Sequence, residues 1–296
     1  MMKQIKKIAI ISPSVMLSNR PLNQEKWLIY LENLGLEVKI MPSVYTTGNI
    51  LDTFSAKEKA IDIMNAYIDE SVDALVAAHG GASALRTLEY LDFDVIKHYN
   101  KPIIGFSDTT ALQLAVYSKT GNDYITGFLP EYELRDEDVS TLVDEGLKEI
   151  LTGQKRSVCS GECVHEGTIE GILIGGNLST ISDLSGTPYY PDLSNKILLL
   201  EDECEISYKL KLMLTQLKLN PTFGGVKGII FGKFSECEDH ITHGTVESVV
   251  EDFAAQVKIP MIKNFNYGHF KDRLVLRCGV KYNFDAKKTL LQQIEE

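Results

Sequence analysis

Pro102-Ile103-Ile104-Gly105-Phe106-Ser107-Asp108-Thr109-Thr110-Ala111-Leu112 runs from apolar residues through a polar turn into a helix-like segment. An unbroken apolar run suits a strand buried on both faces. Ala111, Leu112, Leu114 and Ala115 then give the following helix, expected over 109–118, one apolar side. The same order recurs upstream. Ala74-Leu75-Val76-Ala77-Ala78 breaks into His79-Gly80-Gly81, and 84–91 is helix-like. Before it, 8–11 is a first strand, 24–34 a helix stopped by Gly35, and 37–41 a second strand. Ser55 and Glu58 form a capping box that opens a helix with Ala60, Ile61, Ile63, Met64, Tyr67 and Ile68 on its apolar face. Alternation of this kind predicts an α/β domain with a doubly wound parallel sheet, its ligand crevice at the carboxyl ends of the strands.

The pattern changes further along. The predicted N-terminal domain covers 1–150 and 151–166 reads as a linker, with a helix expected over 139–152 in the stretch that connects the domains. From 167 to 296, Gly167, Gly171, Gly175 and Gly176 punctuate short apolar runs, as in a smaller, β-rich α/β C-terminal domain with tight turns. Within it 197–200 and 228–231 read as strands, 208–217 and 246–257 as helices. The chain has 296 residues, enough for two modest cores. A formal net charge of -11 repels phosphates, which argues against nucleic acid or an anionic membrane as partner. No run approaches the roughly 20 apolar residues of a membrane helix. Lys3, Lys6 and Lys7 precede only four apolar residues, so a first strand is expected here rather than a signal peptide. Five cysteines, an odd number, fit reduced thiols in a cytoplasm.

Ser107 stands at a strand-to-helix turn, where a hydroxyl is lifted above the sheet and the helix N-terminus offers unsatisfied N–H groups to an oxyanion. A serine there is also an ordinary N-cap, and these residues alone leave both readings open. Gly80-Gly81 follows a second buried strand, so the N–H groups of Gly81 and Asp108 are candidates to converge on one oxygen. A plain tight turn explains the two glycines equally well.

Longer blocks remove the ambiguity. His79-Gly80-Gly81-Ala82-Ser83-Ala84-Leu85-Arg86-Thr87-Leu88-Glu89-Tyr90-Leu91-Asp92 resembles the R-G-G-Y-G-x-x-R-L-L-x-Y-L-D stretch of the LD-carboxypeptidase family of serine peptidases. That family includes muramoyl-tetrapeptide carboxypeptidases and microcin C immunity peptidases. The run from Lys101 to Leu112 is similar to its K-P-x-x-G-Y-S-D-x-T-A-L. Gly171-x-Leu173-x-Gly175-Gly176-Asn177-Leu178, Leu184-x-Gly186-Thr187-Pro188, Ile197-Leu198-Leu199-Leu200-Glu201-Asp202 and Tyr267-Gly268-His269 follow in family order. The resemblance implies a nucleophile Ser107, a general base His269 and an orienting Glu201, since a serine hydroxyl needs an imidazole to take its proton and the imidazole needs a partner to fix its tautomer. It further implies an oxyanion hole from Gly81 and Asp108, an active site in the interdomain cleft, a homodimer, and no cofactor. Gly80, Arg86 and Asn177 are the expected substrate-binding residues.

The implied reaction is hydrolysis of an L,D-peptide bond, releasing terminal D-alanine from murein tetrapeptide during cell-wall recycling in the cytoplasm. The alternative is a microcin C immunity-type peptidase acting on an acyl-sulfamoyl adenosine conjugate, a type that stacks the adenine on tryptophan. A third reading is a non-catalytic binder on the same fold, which has no need of a relay. Ala82, Ser83 and His79 depart from the family's aromatic, glycine and arginine, and bear on specificity. Cys159-x3-Cys163-x-His165 and Cys237-x2-His240-x2-His243 look like fragments of metal sites, but neither has the paired spacing of a four-ligand zinc site, and no metal is expected. Gly80-Gly81 lacks the Gly-Lys-Ser/Thr of a phosphate loop, and Ser12-Pro13-Ser14 stands where a dinucleotide fingerprint requires glycines.

Overall fold

The structure, a computed structural model, describes residues 4–14, 23–45, 54–135 and 138–295. Lys3 of the basic cluster lies outside them, as do positions 136 and 137. The chain forms two compact units, Met1–Gln154 with Val275–Arg277, and Lys155–Leu274 with Cys278–Glu296.

In the first unit β1 (Lys7–Ile11), β2 (Glu37–Ile40), β3 (Ala74–Ala77), β4 (Ile103–Gly105) and β5 (Tyr124–Thr126) pair in parallel in the order β5-β4-β3-β1-β2. The helices are α1 (Gln24–Asn33), α2 (Ala56–Ile68), α3 (Phe93–Tyr99), α4 (Thr109–Thr120), α5 (Pro130–Leu134) and α6 (Thr141–Leu151). From β1 the chain steps outward to β2, then returns to the other side of β1 as β3. This reversal is the switch point at which doubly wound sheets bind their ligands. Ile8, Ile10, Val76, Ile104 and Ile125 pack with Trp27, Val143, Leu147 and Ile150 into one buried cluster. The Ser55–Glu58 box is formed, and Gly35 takes φ +81 just beyond α1. The stretch expected as a helix over 84–91 is a 3₁₀ helix, Ala84–Tyr90.

The second sheet has eight strands: β6 (Ser157–Cys159), β7 (Glu162–His165), β8 (Thr168–Asn177), β9 (Lys196–Glu203), β10 (Gly228–Ser235), β11 (Met261–Lys263), β13 (Lys281–Asp285) and β14 (Leu290–Gln293). Strand β12 (Leu276–Cys278) instead joins the first sheet beside β5. The order is β6-β14-β13-β8-β9-β10-β11-β7, with β8, β9, β10 and β11 parallel and the flanking pairs antiparallel. Helices α7 (Leu178–Asp183), α8 (Ser207–Leu219) and α9 (Val246–Gln256) complete the unit. Its edge strands β6 and β7 are joined by Ser160 and Gly161 alone. Such a link reaches no further than roughly 10 Å, so the sheet curls until its edges approach.

The expected linker 151–166 is therefore corrected. Residues 157–159 and 162–165 are strands of the second sheet, and the chain passes between the units at 154–155 and again on either side of Val275–Arg277. Strand β6 is a three-residue edge strand with two exposed side chains, and so carries no apolar signal. Among the described residues no helix is long and apolar enough to cross a membrane.

Candidate active site

Ser107 leaves β4 with φ +60, a left-handed conformation that costs an L-residue roughly 1–2 kcal/mol. It does not cap the helix: Asp108 holds the N-cap position of α4, and its side chain makes no cap bond there. The turn is tight enough that a Cβ on Gly105 would lie 2.4 Å from Thr109 Cγ2, so only glycine fits two residues before the serine. A Cβ on Gly80 would stand 3.1 Å from Ser107 Oγ. The loop after β3 thus passes against the hydroxyl, and Gly81, with φ +149, follows directly. Ser107 is half-buried.

The Asp108 carboxylate points away from its own helix. Its Oδ2 accepts from the Ser83 and Ala84 backbone N–H groups at 2.8 Å each, and from the Ser14 hydroxyl. Lys59, buried, donates to the Ser14 carbonyl. One carboxylate therefore ties the loops after β1 and β3 to the serine turn. His79 Nδ1 donates to the Gly80 carbonyl at 2.6 Å, and in the neutral ring Nε2 accepts from Ser12 Oγ at 3.0 Å. The histidine that replaces the family arginine thus braces the glycine loop. Arg86 is exposed on the 3₁₀ helix, where its charge bears on Tyr90.

In the second unit, β9 alternates. Glu201 and Glu203 share one face, and Asp202 faces the other way. Glu201 is wholly buried and accepts from His269 Nδ1 at 2.8 Å. The segment carrying His269 is held against β10 by Phe265 N–H to Phe231 O at 3.0 Å and Lys233 N–H to Tyr267 O at 2.8 Å. Gly232 permits that approach, since a Cβ there would be 2.3 Å from Tyr267 O and 3.1 Å from Glu201 Cβ. Asn177, opposite Glu201 in the β8–β9 register, caps α7 through Thr180. Its amide donates to Asp202 Oδ1 at 2.9 Å and to Glu201 Oε1 at 3.4 Å. Its contacts thus order the carboxylates. Asp202 also accepts from Ser179 N at 3.0 Å and Ser179 Oγ at 2.6 Å. Asp202 and Glu203 were not singled out from the sequence, although the Glu-x-Glu alternation on a strand carries the signal for Glu203.

Burial pulls the His269 pKa down, but the charge and hydrogen bond of Glu201, with Glu203 and Asp202 beyond, outweigh it and hold the pKa above its ordinary value. With Nδ1–H committed to Glu201, Nε2 keeps its lone pair to accept a proton. Burial, aided by the Glu201 charge, pushes Asp202 up to about 6 against its hydrogen bonds. Both groups are easier to protonate in the folded protein than in the unfolded chain. The Asp202 contribution is lost as pH rises from its unfolded value near 4 to about 6. The His269 contribution is complete below roughly 6.5 and lost as pH rises through the folded value. The thermal midpoint is therefore expected to fall between pH 5 and pH 8, and Asp202→Asn to flatten the acid part of that slope. Calorimetry showing a midpoint that climbs over this range, or an unchanged slope in the variant, would contradict the assignment. Among the described residues no three His, Cys, Asp or Glu side chains gather as a metal site.

Residues 8–127 match the LD-carboxypeptidase N-terminal domain and 170–284 the LD-carboxypeptidase C-terminal domain. YocD of Bacillus subtilis, whose name assigns it provisionally to the carboxypeptidases, is 30% identical over 90% of this chain and 90% of its own. The microcin C7 self-immunity protein MccF of Escherichia coli is 28% identical over 81% of this chain and 77% of its own. The crystal structure of a muramoyltetrapeptide carboxypeptidase from Oxalobacter formigenes superposes with a TM-score of 0.86 at 25% identity, covering 97% of each chain. The match to both domains and the relatedness along the whole chain lead to one conclusion: this protein belongs to the LD-carboxypeptidase family of serine peptidases.

Proposed function

We propose that the protein hydrolyses the L,D-peptide bond of murein tetrapeptide and releases terminal D-alanine. The observation that carries the reading is Ser107, a strained non-capping serine at a strand-to-helix turn, in a chain that also holds a buried Glu201–His269 pair. Strain of this kind persists where the surroundings over-determine it, and it concentrates at reacting groups. In the proposed reaction Ser107 Oγ attacks the scissile carbonyl as its proton passes to His269 Nε2. The oxyanion takes hydrogen bonds from the Gly81 and Asp108 N–H groups. His269 then protonates the leaving amine, D-alanine departs, and water repeats the sequence on the acyl-enzyme. Glu201 holds the tautomer and stabilises the imidazolium.

The substrate follows from family membership and from the activity named for the Oxalobacter relative. The immunity-type alternative draws on MccF. That type stacks its base on tryptophan, and the one tryptophan here, Trp27, is fully buried in the first unit's core. Cytoplasmic cell-wall recycling and a homodimer are carried over from the family, and light scattering on purified protein tests the second.

A carboxypeptidase closes its site just beyond the departing residue. A longer peptide then leaves the carboxylate's partner unpaired, a loss of about 1–3 kcal/mol. Mass spectrometry of protein incubated with murein tri-, tetra- and pentapeptides is expected to show D-alanine released from tetrapeptide. Action on pentapeptide and on an L-alanine-terminated analogue should be much weaker. Silence on tetrapeptide with cleavage of an aspartyl-sulfamoyl adenosine conjugate would overturn the substrate and leave the serine chemistry standing.

A further inference from the structure

His269 lies between two carboxylates. Glu201 Oε2 is 2.8 Å from Nδ1, and Glu203 Oε2 is 3.6 Å from Nε2. The strand's two-residue period puts both acids on the face of β9 that His269 meets. The two carboxylates differ in setting: the Glu201 side chain is wholly buried, whereas that of Glu203 is 35% exposed and His269 only 3%. At 3.6 Å the second contact is too long for a good hydrogen bond and close enough for an ion pair. It leaves the lone pair of Nε2 available, yet attracts the proton once it arrives.

We propose that Glu203 is a positioning residue for the relay, a second carboxylate facing Nε2 that stabilises the imidazolium form of His269 and so sets the lowest pH at which the enzyme turns over. The proposal rests on the reading of His269 as general base. It has two opposed consequences. A carboxylate beside Nε2 favours the imidazolium that forms as Ser107 gives up its proton, which strengthens the base. The same carboxylate keeps the resting imidazole protonated to higher pH, which withholds the base in acid. Other charged groups stand on the elements packed around the ring. Asp202 adds negative charge from the same strand. From β10, the Lys233 ammonium stands 4.0 Å from the Phe270 ring centroid. On the histidine's own loop, Arg273 donates to the Phe270 carbonyl at 2.8 Å.

The test compares wild type with Glu203→Gln and Glu203→Asp by two readouts: an NMR pH titration of the His269 ring, which needs no turnover, and the pH profile of kcat/KM. In Glu203→Gln the ring titration and the acid limb of the profile are expected to move together to lower pH. Well below the wild-type midpoint, kcat/KM relative to its own plateau should rise about three- to tenfold. The plateau should fall, because the imidazole has become a weaker base. Glu203→Asp, with its carboxylate drawn back by one methylene, should lie between the two. An unmoved ring titration overturns the proposal and leaves the general base in place. A ring that shifts while the acid limb stays put overturns both, because the group limiting turnover in acid is then not His269.

Discussion

Replacing Ser107 by alanine is expected to cut kcat by about 10⁴–10⁶-fold while the protein still folds. The loss follows from the proposed chemistry, in which there is no acyl-enzyme without the hydroxyl and the imidazole has no proton to take. The fold survives because the backbone at Ser107 already carries its strain with a Cβ present, and alanine changes neither that strain nor the turn made by Gly105. A companion variant separates strain from chemistry. Ser107→Gly should be as inactive as Ser107→Ala and more stable than it. Glycine removes the left-handed penalty of roughly 1–2 kcal/mol and gives back about 0.5–1 kcal/mol through its greater unfolded freedom. Its thermal midpoint should therefore exceed that of the alanine variant by a few degrees, since about 1 kcal/mol corresponds to roughly 2–4 °C in a chain of this size class. Full turnover by a folded Ser107→Ala protein would end the serine mechanism.

The first unit is readable because its central strands β3 and β4 are buried on both faces, so 74–78 and 102–106 show as unbroken apolar runs between turn residues. The sequence pattern ends β9 at 200, because Glu201, Asp202 and Glu203 look like the polar end of a strand. The structure continues it to Glu203, since His269 and Asn177 take up Glu201, and Asn177 and Ser179 take up Asp202. Polarity ends a strand only where the polar groups face water, and no local pattern reveals a partner 68 residues away. The same limit applies to His269. Tyr267-Gly268-His269 has no periodicity, and its place beside Glu201 depends on Gly232, a glycine whose role appears only when Tyr267 is seen against it. Ser107 was different, because strand, turn and helix are contiguous in sequence. The pairing of Glu201 with His269 is legible only through the family resemblance.

The second large effect is expected at Glu201. Glu201→Gln should lower kcat by about 10³–10⁴-fold with little change in KM, since in the proposed reaction the residue acts on the histidine and not on bound substrate. Glutamine fills the same buried volume and can keep the 3.4 Å contact to Asn177, so loss of fold is not the cause. What disappears is a charge. In the native protein His269 titrates above its ordinary value only because the carboxylates outweigh the burial that opposes the charged ring. With Glu201 neutral, burial meets just the half-exposed Glu203 and Asp202 on the far face, and the imidazolium is no longer favoured. An amide can also present its N–H₂ to Nδ1, which drives the ring proton to Nε2 and leaves no lone pair for Ser107. The His269 titration should therefore move to lower pH further than in Glu203→Gln, because the lost charge sits 2.8 Å from the ring in a wholly buried place. Activity at high pH should stay low, for no amount of base restores a tautomer set by the amide. If raising the pH returned Glu201→Gln to wild-type turnover, the carboxylate would be a simple pKa adjuster, and its role in holding the tautomer would be wrong.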